Sequence, residues 1–127
     1  MASMTKERLS EVSRLRRDIM KDSARLVGMK GRFMLKNNNV SLADISECEE
    51  RIRTKSAKCA RLQSEINAFI NEIDDSLTRQ VFYFRYVKCL PWKKVAVMTG
   101  GIIGMDGVRK VAERYLKKYC SGDKFEN

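Results

Sequence analysis

The sequence contains no histidine and only one proline among its 127 residues. Without histidine, the chain lacks the commonest general base and both the Ser/His and the Cys/His nucleophile pairs. Its 16 acidic residues are mostly interleaved with lysine and arginine at helical spacings, which is typical of solvated helix faces. Carboxylate-only chemistry stays open, but this composition predicts that the protein is not an enzyme.

The four cysteines lie far apart, with no CxxC pair, at Cys48, Cys59, Cys89 and Cys120. Zinc sites need clustered cysteine and histidine ligands, so neither a metal nor another cofactor is expected. No apolar run approaches the roughly 18–20 residues that span a bilayer, and the first residues lack the apolar core of a signal peptide. We therefore expect a cytoplasmic protein with reduced, mostly buried thiols and no membrane partner.

The acidic residues are outnumbered by 26 lysines and arginines, which gives a net charge of +10. The excess is uneven, because residues 1–40 carry +6, residues 41–73 carry −1 and residues 74–127 carry +5. A strongly basic chain favours polyanionic partners, and nucleic acid is the first of these.

Helical periodicity dominates the first 73 residues, and no strand-like alternation is sustained anywhere, so the fold class is predicted to be all-α. One helix is expected from about Thr5 to Lys36, ending before the asparagines at 37–39. Its apolar seam is formed by Val12, Leu15, Ile19, Leu26, Met29 and Phe33. A second helix is expected after Ser41, which with Asp44 resembles a capping box.

The second helix repeats apolar or small residues in steps of three and four, a coiled-coil pattern that only Lys55 interrupts. The seam consists of Ile45, Cys48, Ile52, Cys59, Leu62, Ile66, Phe69 and Ile73. Because the connection is short, the two helices are predicted to form a long antiparallel hairpin over residues 1–73. The same seam could equally pair with a second chain and build a homodimer.

The C-terminal third is predicted to hold three shorter helices over residues 74–120, followed by a flexible tail at 121–127. The first follows an N-cap-rich junction at residues 74–76 and ends near Cys89, before the proline. The second begins with Pro91 at its first position and stops at Gly100, a left-handed C-cap. The third runs from about Asp106 to Lys118, with the Asp106 carboxylate as its cap.

This third helix divides cleanly into an apolar and a basic side. The apolar side consists of Val108, Val111, Ala112, Tyr115, Leu116 and Tyr119, and the other side of Arg109, Lys110, Glu113, Arg114, Lys117 and Lys118. A short helix, a glycine turn and a basic amphipathic helix are the parts of a helix-turn-helix, whose second helix enters the major groove. The alternative is a small helical core with ordinary basic surface helices.

The strings RQVFYFRYVKCLPWKKVAVMTGG and GVRKVAERYLKK resemble small phage and prophage regulators of the RinA/ArpU type, whose helix-turn-helix is similar to region four of sigma-70-class factors. The resemblance rests on Arg85-Tyr86, Leu90-x-Trp92, Val95-Ala96, Gly100 and Val108-Arg109. It implies a bacterial host cytoplasm, with Arg109, Lys110, Glu113 and Arg114 facing double-stranded DNA, and Lys93 and Lys94 near its phosphates. The turn TGGIIGMDG is longer than in the sigma-like pattern.

The leading hypothesis is therefore a sequence-specific transcriptional regulator, with Lys93, Lys94, Lys117 and Lys118 on phosphates and Arg109 and Lys110 at base edges. A second hypothesis is a helical interaction module that docks on RNA polymerase or on another phage protein. A third is a DNA-packaging recognition subunit, since such proteins also combine helix-turn-helix units with helical oligomerisation elements.

Overall fold

The computed structural model describes residues 4–36 and 39–125, with side chains described as far as residue 120. Within this part of the chain all regular structure is helical, which confirms the predicted all-α class. The elements are α1 (Lys6–Met34), α2 (Leu42–Asn71), α3 (Ser76–Phe82), a π-helical turn (Tyr83–Val87), α4 (Trp92–Met98) and α5 (Met105–Phe125). None of these helices combines the length and the apolar character that crossing a membrane requires.

Contacts within the chain group it into two compact units. One consists of residues 11–62, and the other of residues 1–10 together with 63–127. The predicted domains, 1–73, 74–120 and 121–127, follow a different division and stay a prediction. The backbone of α5 is helical as far as Phe125, beyond the expected start of the tail, and residues 126 and 127 lie outside the described residues.

In the unit formed by residues 11–62, α1 and α2 are joined by ion pairs that run in opposite order along the two helices. Glu11 contacts Lys58 at 2.9 Å, whereas Lys30, further along α1, contacts Glu49, which lies earlier in α2, at 3.4 Å. This order is that of an antiparallel pair. Between the helices lies an apolar cluster of Leu26, Met29, Val40, Ile45, Cys48 and Ile52.

Lys55 interrupts the apolar seam of α2 because it has an acidic partner across the helix pair. Its ammonium donates to Asp22 Oδ2 at 2.9 Å and lies 4.0 Å from Asp18 Oδ2. The Asp22 side chain is only 8% exposed. The hydrogen bond from Lys55 holds the pKa of Asp22 below its ordinary value. A polar residue in the seam is therefore satisfied, as buried polar groups usually are.

The ends of the two helices differ in detail from the sequence prediction. Helix α1 stops at Met34, because Lys36 adopts a left-handed backbone with φ of 60°. Phe33, expected in the seam, is 39% exposed, and Val40 belongs to the buried cluster at this end of the unit. The capping box is confirmed, since Asp44 N–H donates to Ser41 Oγ and Ser41 N–H donates to Asp44 Oδ2.

Replacing Lys55 by methionine tests the buried pair. We expect Lys55→Met to lower the free energy of unfolding at pH 7, because the buried Asp22 carboxylate loses the cation that donates to it, while Arg25, at 3.8 Å, is too distant to replace that hydrogen bond. A carboxyl with a lowered pKa contributes stability above its unfolded pKa of about 3.9, and this stability is lost as the pH falls through the folded pKa. The difference between the two proteins should therefore shrink below pH 4 in urea unfolding curves.

Arg53→Met is the matched control for this measurement. Arg53 also pairs with a carboxylate, Glu50, but both side chains are about two-thirds exposed and lie on the same helix. Exposed pairs of this kind contribute little, so the control should unfold like the parent protein at both pH values. Equal losses in the two variants would contradict a special role for the buried pair.

Candidate nucleic-acid interface

An aromatic cluster in the unit of residues 1–10 and 63–127 anchors helix α5. Phe82 at the end of α3 is fully buried, and its ring centroid lies 5.7 Å from that of Phe69 and 5.6 Å from that of Tyr115. Phe69 also meets Tyr119 edge-on at 5.2 Å. Edge-to-face contacts are a favourable geometry for aromatic pairs. Residues of α2, α3 and α5 therefore share one core.

The apolar side of α5 is buried as its periodicity predicts. Val108 and Ala112 are at most 1% exposed, and Leu116 is also buried. Because a helix turns about 100° per residue, burying this side leaves the other in solvent. The exposed residues on that other side include the six predicted from the sequence, namely Arg109, Lys110, Glu113, Arg114, Lys117 and Lys118. The structure thus brings five cations together on a single helix face with two carboxylates, Glu113 and Asp106 of the first turn.

Helix α4 packs on α5 and carries the remaining two cations of the predicted site. Val95 and Ala96 are buried, while Lys93 and Lys94 at the start of the helix are exposed. Pro91 does not occupy the first helical position as expected. Its ψ of 153° is extended, so Pro91 is the N-cap residue and the helix begins at Trp92.

The connection between α4 and α5, residues 99–104, depends on positive backbone angles. Gly100 has a φ of 111°, and Gly101 one of 72°, which confirms a positive φ at Gly100. The Gly101 N–H donates to the Ala96 carbonyl at 3.0 Å, and the Thr99 hydroxyl donates to the Val95 carbonyl at 2.9 Å. The turn itself therefore satisfies the carbonyls of Val95 and Ala96 near the end of α4.

Asp106 does not cap α5 in the way predicted. The helix begins at Met105, and Val108 N–H donates to the Gly104 carbonyl at 3.1 Å, so Asp106 already lies in the first turn. Its carboxylate accepts instead from Arg109 Nη2 at 3.1 Å. Arg109 Nε lies 3.9 Å from Glu113 Oε1. Arg109 is thus held between two carboxylates of its own helix, a contact that the cap interpretation overlooked.

A π-helical turn between α3 and α4 was not foreseen from the sequence. Lys88 N–H donates to the Tyr83 carbonyl, and Cys89 then adopts a left-handed φ of 57°. This turn accompanies two contacts of Arg85, whose Nη1 donates to the Leu90 carbonyl at 3.0 Å and whose guanidinium lies 4.6 Å from the centre of the Trp92 ring. Arg85 therefore contacts the first residue of α4, and such cation–π contacts are attractive.

The predicted cap at the start of α3 is confirmed. Asp75 Oδ2 accepts from the Thr78 hydroxyl at 2.7 Å and from the Thr78 amide at 2.9 Å. The hydrogen bond from the hydroxyl is the main reason why the pKa of Asp75 lies below its ordinary value. Further along the same unit, burial raises the pKa of the Tyr86 phenol, so this side chain stays neutral at physiological pH.

No protein-family model matches the chain, and neither the curated proteins nor the solved structures give a match. The resemblance to RinA/ArpU-type regulators rests on the residues quoted above and stays a hypothesis.

The turn between α4 and α5 can be tested with two glycines. We expect Gly100→Ala to lower the free energy of unfolding by about 1–3 kcal/mol, because alanine is strained at a φ of 111°. Gly104→Ala is the control, since its φ is not positive and an added Cβ would meet nothing within 4 Å. Its effect should stay within about 0.5 kcal/mol. Urea unfolding followed by circular dichroism measures both, and similar losses would contradict the assignment.

Proposed function

We propose that the protein is a sequence-specific regulator of transcription that binds double-stranded DNA and inserts α5 into the major groove. One observation carries the proposal: between Asp106 and Lys118, α5 exposes five cations and two carboxylates opposite an apolar side on which Val108, Ala112 and Leu116 are buried. From Met105 to Lys118 the helix is about 20 Å long, and the major groove, about 12 Å wide, admits a helix of this kind.

The arrangement of α4 and α5 supports the same proposal. In a helix-turn-helix, the first helix crosses the DNA backbone while the N-terminal residues of the second reach the base edges. Lys93 and Lys94 are exposed at the N-terminal end of α4, which packs on α5. We assign these two lysines, with Lys117 and Lys118, to phosphate contacts that position the helix.

Arg109 and Lys110 are assigned to base contacts because they lie in the N-terminal part of α5. Arginine pairs in a bidentate manner with the O6 and N7 atoms of guanine. In the free protein, the Arg109 guanidinium is hydrogen-bonded to Asp106. To contact a base, Arg109 must break its hydrogen bond to the Asp106 carboxylate. A base with a single acceptor in the major groove replaces this hydrogen bond less well than guanine, which offers two acceptors. The intrahelical pair therefore favours guanine over other bases. Glu113 and Arg114 complete the DNA-facing side.

The first experiment is a selection from random duplex DNA at two salt concentrations, followed by sequencing of the retained fraction. We expect an enriched motif and an affinity that falls steeply as salt rises, because bound cations release counterions from the DNA. Salt-dependent retention of DNA without an enriched motif would mean that the protein binds DNA nonspecifically, which contradicts sequence-specific recognition. Absence of salt-dependent retention would overturn the proposal.

Two substitutions on α5 then separate base contacts from phosphate contacts. Arg109→Ala should lose about 1–3 kcal/mol of binding free energy on the selected site and flatten the base preference. Lys117→Ala should weaken binding to all DNA sequences alike and reduce the slope of log affinity against log salt concentration by about one. Fluorescence anisotropy on selected and scrambled duplexes measures both effects.

The control variant for the loss of charge is Arg53→Ala. It removes one cation from the exposed surface of α2, where Arg53 pairs with Glu50, and leaves α4 and α5 unchanged. Its binding to both duplexes should follow the parent protein. If Arg53→Ala and Arg109→Ala reduce affinity equally and without sequence dependence, α5 has no special role in base recognition.

A further inference from the structure

Helix α1 carries a second apolar stripe, separate from the one that packs with α2. The stripe follows alternating steps of four and three residues and consists of Met20, Ala24, Val27, Gly31 and Met34. This is the spacing of the a and d positions of a coiled coil. All five residues are exposed, and the three large ones are strongly so, at 73%, 73% and 81%.

The stripe lies on a different side of α1 from the buried residues. At about 100° per residue, Asp22 lies some 200° around the helix from Met20, and Met29 some 200° from Val27. Asp22 and Met29 are both buried within the unit of residues 11–62. Packing against α2 therefore accounts for one apolar side of α1. The other apolar side, the stripe, stays exposed and is not explained by packing within this unit.

Glycine at position 31 is consistent with a contact made by this stripe. Gly31 is helical, and an added Cβ would meet nothing within 4 Å, so no neighbour among the described residues excludes a Cβ there. A glycine in a helix interior destabilises the helix relative to alanine, so Gly31 lowers the stability of the free protein. At an a position, a missing side chain lets a second helix approach closely.

The charges beside the stripe decide which kind of helix fits. Positions e and g of a coiled coil face the charges of the partner, and here they include Lys21 and Lys30. Arg17 lies on the same side as Lys21 and is also exposed. The carboxylates of this part of α1, Asp18 and Asp22, both lie within 4.0 Å of Lys55. Lys30 already contacts Glu49 of α2 at 3.4 Å, so the cationic flank of the stripe is the one that carries Arg17 and Lys21.

We propose that the outward stripe of α1 is the docking surface for an acidic amphipathic helix of a partner protein. A second copy of this chain would bring like charges together, which coiled coils disfavour. A lipid surface also attracts basic helices, but those present bulky Trp, Phe and Leu side chains, whereas this stripe is narrow and contains alanine and glycine. From Met20 to Met34 it offers about 21 Å, or two heptads of contact.

The test uses the full chain and a labelled synthetic helix of three heptads, with leucine at a and d and glutamate at e and g. A second peptide carries lysine at e and g. We expect the glutamate peptide to bind with an affinity that falls as salt rises, and the lysine peptide not to bind. Fluorescence anisotropy measures both titrations. Failure of the glutamate peptide to bind at submillimolar concentrations overturns the proposal.

A matched pair of variants locates the binding surface. Val27→Ser should lower the affinity for the glutamate peptide about tenfold, because it removes an apolar side chain that becomes buried when the peptide docks. Val97→Ser makes the same change on α4 at a residue of similar exposure, 68%, and should leave affinity within about twofold. Equal effects of the two variants would mean that charge alone holds the peptide, which overturns the proposal.

Gly31→Leu keeps the test independent of the first variant. Gly31 is exposed and an added Cβ there would meet none of the described residues within 4 Å, so thermal melting should show an intact fold. The leucine side chain should keep the peptide from approaching closely. Undiminished peptide binding by a folded Gly31→Leu protein contradicts close helix packing. Two other results also overturn the proposal: self-association that Val27→Ser abolishes, seen by sedimentation equilibrium, and binding to phosphatidylserine vesicles without binding to the peptide.

Discussion

The edge-to-face contact between Phe82 and Tyr115, with ring centroids 5.6 Å apart, determines which side of α5 faces solvent. Phe82 is fully buried, and the same ring meets Phe69 of α2, so three helices converge on one side chain. Once Tyr115 points inward, Lys117, two residues further on, lies on the far side of the helix. The basic face is thus a geometric consequence of an aromatic core. Its cations need no contacts of their own to be presented together.

The cations of this face nevertheless fall into two groups. Arg109 is held by Asp106 and approached by Glu113, both on its own helix, whereas Lys110 and Lys117 lie on the opposite side from the buried residues. Exposed ion pairs contribute little free energy, so Asp106 orients the guanidinium and can be replaced by a better acceptor. A flexible lysine suits a phosphate, and a planar, oriented arginine suits a base edge. The division of roles that we propose follows from this difference.

Periodicity predicted the all-α class and the buried side of α5. Successive residues of a helix are related by a fixed rotation, so the spacing of apolar residues in the sequence identifies the buried side directly. The capping box at Ser41 and the cap at Asp75 were predictable for the same local reason. From the sequence, Lys55 could be recognised only as an interruption of the apolar seam, because its partner Asp22 lies 33 residues away in the chain. The π-helical turn accompanies contacts of Arg85 with Leu90 and Trp92, which helical periodicity does not encode. Helix α5 begins one residue before Asp106, within the one or two residues by which helix ends ordinarily vary.

Helices α1 and α5 are both basic and amphipathic, yet they suit different partners. DNA offers a helix mainly phosphate oxygens and hydrogen-bonding base edges, with the thymine methyl as its chief apolar contact. Between Asp106 and Lys118, every exposed residue of α5 is charged, which matches that chemistry. The outward side of α1 has cations only at its flanks, around exposed Met20, Val27 and Met34, which a duplex would leave in water. An apolar stripe of this kind is buried only by another apolar surface, so charge attracts the partner of α1 while shape and hydrophobicity select it.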